Sequence, residues 1–241
     1  MKNLKSLLPK QFTRKLAPVI YSTYSRKVDE FNWSALLYQW TRDQGHIPVF
    51  NHRFDLYRHV NEDILKSIPV DYLEFGVYRG ESIRKWLELN PNEGSRFYGF
   101  DSFEGLPEDG AAGLKSESGW KKGDFDIQGE IPEFNDTRVQ FIKGWFQHTL
   151  PSFLEQFEPR NRVVVHIDCD LYTSTLFCLT QLNRILTPGS VLIFDEFYAS
   201  LHEFRAFINY TESYLRTYSV LGGVPGGMFD KFTQIAMRLN D

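Results

Sequence analysis

Residues 70–76 read Val-Asp-Tyr-Leu-Glu-Phe-Gly, continue as Val-Tyr-Arg-Gly-Glu-Ser, and pass at once into a helical segment from Ile83 to Leu89. An apolar run that ends in an acid, then in Gly76 and Gly80, then in a helix is a strand feeding a helix through a glycine turn. Open α/β sheets receive nucleotide-like ligands at such a place, because the helix N-terminus is electropositive and glycine lets backbone approach the ligand. Strand-like runs recur along the chain: Tyr72 to Gly76, Arg96 to Asp101, Val139 to Lys143, Val163 to Asp168 and Val191 to Asp195. Helical patterns fall between and after them, over Ser82 to Leu89, Thr149 to Phe157, Ser174 to Leu186 and Leu201 to Leu215. This alternation predicts a parallel sheet wrapped on both faces by right-handed crossovers, a Rossmann-like α/β fold. Tyr218 to Gly222 and Phe232 to Leu239, separated by a turn rich in Gly222, Gly223, Pro225, Gly226 and Gly227, read as a closing hairpin that brings the sheet to seven strands.

The first 67 residues differ in character. Lys27 to Thr41 sets Val28, Phe31, Leu36, Leu37 and Trp40 on one broad apolar face, Gly45 and Pro48 break the pattern, and a second helix is expected from Phe54 to Ile68, ended by Pro69. Residues 1–67 therefore read as an N-terminal helical cap and residues 68–241 as the main domain. Residues 104–137 carry many acids among Gly105, Pro107, Gly110, Gly113, Gly123, Gly129 and Pro132. A segment this long without regular pattern is expected to be a lid over a ligand.

A formal net charge of −4 gives no support for general nucleic-acid binding. The two cysteines, Cys169 and Cys178, lack metal-site spacing and sit in apolar surroundings, which points to a reduced, cytoplasmic protein. No apolar run reaches membrane-spanning length. Met1 to Tyr24 carries Lys2, Lys5, Lys10, Arg14 and Lys15 without an acid. It reads first as a solvated basic lead-in, and second as a weak contact with an anionic membrane surface.

Glu74 and Asp101 both stand at the C-terminal ends of strands, where carboxylates can hold a nucleoside, Asp101 through its ribose hydroxyls. Each alone also suits a helix cap. No pyrophosphate grip accompanies them, since neither the dinucleotide glycine pattern nor the lysine of a P-loop is present. A second acidic group is stronger. The run Val163 to Ile167 ends in Asp168-Cys169-Asp170, and the run Val191 to Phe194 ends in Asp195-Glu196. Neighbouring parallel strands would bring Asp168, Asp170, Asp195 and Glu196 together, where like charges repel unless a cation compensates. Oxygen ligands suit Mg²⁺, which could lower the pKa of a substrate hydroxyl for a nearby base. His166 is expected to be a satisfied core histidine, whereas His148 and His202 read first as plain surface histidines and second as candidates for a base near the mouth. Tyr78, Phe103, Trp145 and Phe146 could wall an adenine pocket or simply fill the core.

Five stretches in order make the chain resemble the class I S-adenosylmethionine-dependent methyltransferases, and more closely the macrocin O-methyltransferase (TylF-type) family. They are residues 72–82, 99–107 (Gly-Phe-Asp-Ser-Phe-Glu-Gly-Leu-Pro), 144–151 (Gly-Trp-Phe-Gln-His-Thr-Leu-Pro), 168–175 and 195–198 (Asp-Glu-Phe-Tyr). The resemblance implies a seven-stranded sheet whose last strand is antiparallel. It implies S-adenosylmethionine as cofactor, with Glu74 and Gly76 at its methionine end and Tyr78, Gly80 and Ser82 in the same turn. It sets Asp101 on the ribose, Ser102 and Phe103 at the adenine, and Asp168 beside the donor. It further implies Mg²⁺ on acids of the 168–170 motif and of the pair 195–196. Taken with the reading of the residues, Asp168, Asp170 and His148 are the catalytic candidates. Acceptors in the family are hydroxyls of sugars on natural products or glycans. The chain departs from the family in carrying Glu196 where a second aspartate is usual, and in its C-terminal hairpin.

The expected activity is Mg²⁺-assisted O-methylation of a small-molecule or glycan hydroxyl, with the N-terminal helices capping the cleft or forming a homodimer contact. Its rivals are a metal-independent methyltransferase of the same fold, a protein that binds S-adenosylmethionine without turnover, and a nucleotide-sugar or NAD-dependent enzyme.

Overall fold

The computed structural model describes residues 10–107, 121–226 and 231–241, with side chains from residue 27 onward. Helix α1 spans Lys10–Asp43, and α2 spans Arg53–Arg58 before widening into a π turn over His59–Ile64. Then follow β1 (Val70–Phe75), α3 (Glu81–Leu89), β2 (Arg96–Asp101), β3 (Val139–Lys143), α4 (Phe146–Gln156), β4 (Arg162–Ile167) and α5 (Tyr172–Leu182). The chain closes with β5 (Val191–Phe194), α6 (Glu203–Tyr214), β6 (Tyr218–Pro225) and β7 (Phe232–Leu239). The strands form one seven-stranded sheet in the order β3-β2-β1-β4-β5-β7-β6. Strands β1 to β5 pair in parallel, and β7 runs antiparallel to β5 and β6. The expected Rossmann-like sheet with an antiparallel last strand is thus what the chain forms. Strand order reverses at β1, between β2 and β4, which opens a crevice at the C-terminal strand ends.

Strand periodicity of two divides β1 between two cores. Leu73 and Phe75 join one apolar cluster with Phe100, Val165 and Leu192, while Val70 and Tyr72 join the other with Tyr57, Trp86 and Phe97. The N-terminal segment contributes to both. Leu37 and Trp40 of α1 belong to the first, and Leu56, Tyr57 and Val60 to the second. The Trp40 indole donates to the Tyr218 hydroxyl at 2.7 Å, and its ring lies 5.3 Å from that of Phe197.

Several element bounds differ from the sequence expectation for physical reasons. The helix expected over residues 54–68 widens at His59 because the extra residue of the π turn rotates Asn61 fully inward. There Asn61 donates to the Leu89 carbonyl at 2.8 Å and accepts from Asn90 at 2.8 Å. Helix α4 starts three residues earlier than expected, at Phe146, because Gly144 turns the chain at φ 136 and the Trp145 carbonyl accepts the first bonds from His148 and Thr149. Helix α5 ends at Leu182, not Leu186, where Asn183 is taken up by the Tyr210 hydroxyl and the Arg216 guanidinium, each at 2.9 Å. Gly222 and Gly223, expected in a turn, lie inside β6. They admit the incoming N-terminal chain: Gly223 exchanges backbone bonds with Pro48 and Phe50 at 2.9 and 3.0 Å, and a Cβ on Gly222 would stand 2.6 Å from the Phe50 ring. Within the expected lid, Glu104 bridges to Asp126, and residues 108–120 fall outside the described residues. Residues 1–9 of the basic lead-in and Gly227 of the hairpin turn also fall outside them. No helix among the described residues is long and apolar enough to cross a membrane.

The opposite end of the strands, where β1, β2 and β4 begin, is locked by an ion pair on a buried carboxylate. Asp71 is fully buried and accepts from the Arg96 guanidinium at 2.7 and 2.8 Å, from the Arg160 and Asn161 backbone, and from the Asn161 amide. Burial by itself would raise the Asp71 carboxyl, but these donors overrule it and hold it below the ordinary carboxylate value. Asp71→Asn is therefore expected to destabilise the fold by about 3 kcal/mol at neutral pH, since it leaves Arg96 without its anion. A depressed folded-state pKa contributes stability that is complete above the unfolded value, near 3.9, and is lost as pH falls through the folded one. Urea titrations of both proteins should show the gap present at pH 7 and shrinking below about pH 4. A gap that does not change with pH would count against the ionised pair.

Candidate active site

A cavity of about 330 Å³ opens at the C-terminal ends of β1, β2, β4 and β5, within the roughly 300–1,000 Å³ typical of small-molecule sites. Of the residues expected at the cofactor, Gly76, Tyr78, Asp101, Ser102 and Asp168 line it. All four acids expected around the metal, Asp168, Asp170, Asp195 and Glu196, line it as well. Leu106, Phe125, Trp145 and Phe146 supply apolar wall, with Phe125 set edge-on to Tyr78 at 5.6 Å.

Backbone contacts build the floor. Gly76 donates to the Phe100 carbonyl at 3.0 Å, and Asp168 donates to the Phe75 carbonyl at 2.9 Å, so the ends of β1, β2 and β4 are drawn together. Asp101 organises the turn above them. Its Oδ2 accepts from the backbone of Val77 and Tyr78 at 2.7 and 2.8 Å, and its Oδ1 accepts from Phe103 at 2.7 Å. Tyr78, Phe103 and Asp170, the residues that follow three separate strands, all take left-handed φ values of 51, 58 and 58°. Non-glycine residues rarely adopt that region, and such strain gathers at functional sites.

Other expected site residues stand elsewhere. Glu74 shares the face of Tyr72 on β1, not the cavity face. It is buried, accepts from the Tyr72 hydroxyl at 2.6 Å, and has His166 Nδ1 3.7 Å away. His166 is the satisfied core histidine expected, bonded through Tyr72 at 2.9 Å and near Tyr57 at 3.4 Å. Ser82 is buried beside the Tyr57 hydroxyl, 3.4 Å away. Gly80 caps α3 with its Cα toward Phe134, and Phe103 turns its ring inward against Phe141. His148 is exposed and lines an adjoining cavity with Glu104, Lys122 and Thr173. His202 is buried, and its Nδ1 accepts from the Tyr172 backbone at 3.3 Å.

The acids perturb one another. Burial, then the charges of Asp195, Asp170, Glu203 and Glu74, push the Asp168 carboxyl well above its ordinary range. Burial, then Glu196, Asp195 and Asp101, raise Asp170 to about 8. Gln234 steadies Asp195 by donating to its Oδ1 at 2.7 Å. A further carboxyl, not anticipated from sequence, lies behind them. Glu203 at the start of α6 is fully buried, and its Oε1 accepts from the Cys169 backbone at 3.3 Å while Oε2 has no bonding partner among the described residues. Burial and then Asp195, Glu196 and Asp170 raise it strongly too. The signal for it was an acid seven residues beyond Glu196, at the start of the helix that packs over α5. Among the described residues no three His, Cys, Asp or Glu side chains converge as a preformed metal site. The donor chemistry nevertheless fits a hard divalent cation, since the carboxyl oxygens of Asp168, Asp170, Asp195 and Glu196 share one cavity.

A family model described as macrocin-O-methyltransferase (TylF) matches residues 38–215. The chain is 32% identical over 173 residues to an 8-demethyl-8-(2,3-dimethoxy-alpha-L-rhamnosyl)-tetracenomycin-C 4'-O-methyltransferase of Streptomyces olivaceus, covering 64% of this chain and 63% of that protein. It is 28% identical over 169 residues to a demethyldecarbamoylnovobiocin O-methyltransferase of Streptomyces niveus, with the same two shares. The match thus spans just under two thirds of the length of these relatives. Among solved structures, that of the O-methyltransferase NovP superimposes with a TM-score of 0.61 at 22% identity, over 78% of this chain and 80% of that one.

Proposed function

From the premise that the chain belongs to the macrocin-O-methyltransferase family, we propose that it is an S-adenosylmethionine-dependent O-methyltransferase acting on a sugar hydroxyl of a natural product or glycan. The observation that carries this reading is the cavity at the switch point of the sheet, walled by Asp168, Asp170, Asp195 and Glu196. The relatives named for methylating a rhamnosyl group and a novobiocin precursor support the acceptor class.

Bound S-adenosylmethionine supplies a methyl group on a positively charged sulfur. Gly76 and the turn stitched by Asp101 would admit its backbone-close approach, and Asp101 would bind its ribose hydroxyls. Trp145, Phe146 and Phe125 would cover its adenine and help keep water from the reacting groups. Asp168, Asp195 and Glu196 would hold Mg²⁺, whose role is to lower the pKa of the acceptor hydroxyl. Asp170, at the end of a strained turn, takes that proton. Holding donor and acceptor in line supplies a large share of the rate by proximity. Residues 1–67 act as a cap, and the two buried free thiols, Cys169 and Cys178, suit a reducing cytoplasm.

Calorimetric titration with S-adenosylhomocysteine, with and without Mg²⁺, tests the reading, followed by methyl transfer to a glycoside with free sugar hydroxyls. Binding of S-adenosylhomocysteine and transfer that stops with EDTA are expected. Transfer undiminished by EDTA would remove the metal, and absence of any binding would remove the methyl donor.

A further inference from the structure

Arg53 opens α2, in the segment that precedes the sheet, yet its side chain reaches the wall of the cavity. It pairs there with Glu81 in the first turn of α3. Five carboxylates line the same cavity, from Asp101, Asp168, Asp170, Asp195 and Glu196, and among the described lining residues Arg53 is the one cation. S-adenosylmethionine has two cationic centres, the sulfonium and the α-ammonium, and a single anion, the α-carboxylate. The acidic wall suits the cations and repels the anion, so the anion has one favourable neighbour.

We infer that Arg53 receives the α-carboxylate of the methyl donor and fixes its methionine end beside the start of α3. This rests on the reading of the cavity as a donor site. One feature besides charge balance supports it. The Glu81 side chain is 68% exposed and that of Arg53 23%. An ion pair to so exposed a partner contributes little, whereas a carboxylate inside the cavity can take two parallel bonds from the guanidinium. Glu81 thus keeps Arg53 at the mouth and yields it when the donor enters. Arg53 also ties the cap segment to the donor, because α2 packs through Leu56 and Tyr57 on one face of the sheet.

The experiment compares two ligands, S-adenosylhomocysteine and 5′-methylthioadenosine, which keeps the adenosyl thioether but lacks the amino-acid end. Calorimetry on the full chain should show Arg53→Gln weakening S-adenosylhomocysteine roughly 10- to 100-fold, the usual effect of losing a charge-assisted bond. Its affinity for 5′-methylthioadenosine should not change. Arg53→Lys should recover part of the loss, since it keeps the charge without the planar fork. Glu81→Gln, which removes the competing carboxylate, should tighten S-adenosylhomocysteine alone. Equal losses for both ligands would make Arg53 a support of the loop and overturn the inference. So would an unchanged S-adenosylhomocysteine affinity with a raised KM for the acceptor. Wild-type protein that binds neither ligand overturns the donor reading and this inference together; wild-type binding with an indifferent Arg53→Gln overturns this inference alone.

Discussion

Asp170→Asn is expected to lower kcat by about 10²- to 10⁴-fold, the usual worth of a positioned general base, with S-adenosylhomocysteine affinity and melting temperature close to wild type. The substitution is clean on two counts. Asparagine has the same shape and is one of the few side chains that accept the left-handed backbone found here at φ 58. It also removes a charge that the site resists: burial, Glu196, Asp195 and Asp101 keep the Asp170 proton on up to about pH 8. Stability therefore does not depend on the anion. Turnover does, because an amide cannot take the acceptor proton. The raised value also explains why the base would act only in the filled site, where cationic ligands favour its ionised form. Steady-state kinetics with circular dichroism and calorimetry on the same preparation separate these effects. Full turnover in the variant would pass the role to another group, with His148 at the adjoining cavity next in line.

The strand and acid pattern was legible because each functional strand ends in its own carboxylate. Arg96–Asp101 and Val139–Lys143 fall where apolar alternation put them, and Asp168, Asp170, Asp195 and Glu196 meet because β4 and β5 are hydrogen-bonded neighbours. Glu74 was harder to place. A strand period of two sets it with Val70 and Tyr72 and, across the register, opposite His166. That pattern, already in the sequence, favours the buried Tyr72 bond over a cavity position. What local pattern could not reveal depends on contacts distant in sequence. Arg53 reaches the cavity only because α2 docks on the sheet, the π turn exists to bond Asn61 with Asn90, and Glu203 is buried by the packing of α6 on α5. The left-handed turns at Tyr78, Phe103 and Asp170 were equally hidden, since none of these residues is a glycine.

Gly76→Ala is expected to be the most damaging single methyl that can be added to the site, with a loss of more than about 4 kcal/mol in stability, or no folded protein at all. Two separate effects combine. The backbone at Gly76 has φ +92, a conformation that L side chains rarely adopt, and this alone costs on the order of 1–3 kcal/mol. The added Cβ would also stand 1.8 Å from the Asp168 carbonyl oxygen. Neither side can yield cheaply, because the Gly76 amide is bonded to Phe100 and the Asp168 amide to Phe75, so relief means separating β1 from β2 or from β4. Those are the strand ends that form the cavity floor. Any protein that does fold should therefore bind S-adenosylhomocysteine at least about 100-fold more weakly, as one strained turn is transmitted to Asp101 and Asp168 together. Gly80→Ala is the control. It shares a positive φ of +77, but its Cβ would crowd the Phe134 ring at 2.9 Å, with Ile83 at an ordinary 3.5 Å, and a side chain can move aside. Its expected loss is about 1–3 kcal/mol, from backbone strain with little steric cost. Chemical denaturation of the two variants, side by side, decides the point. If Gly76→Ala proves no worse than Gly80→Ala, the close approach of β1 and β4 is not what holds the site together.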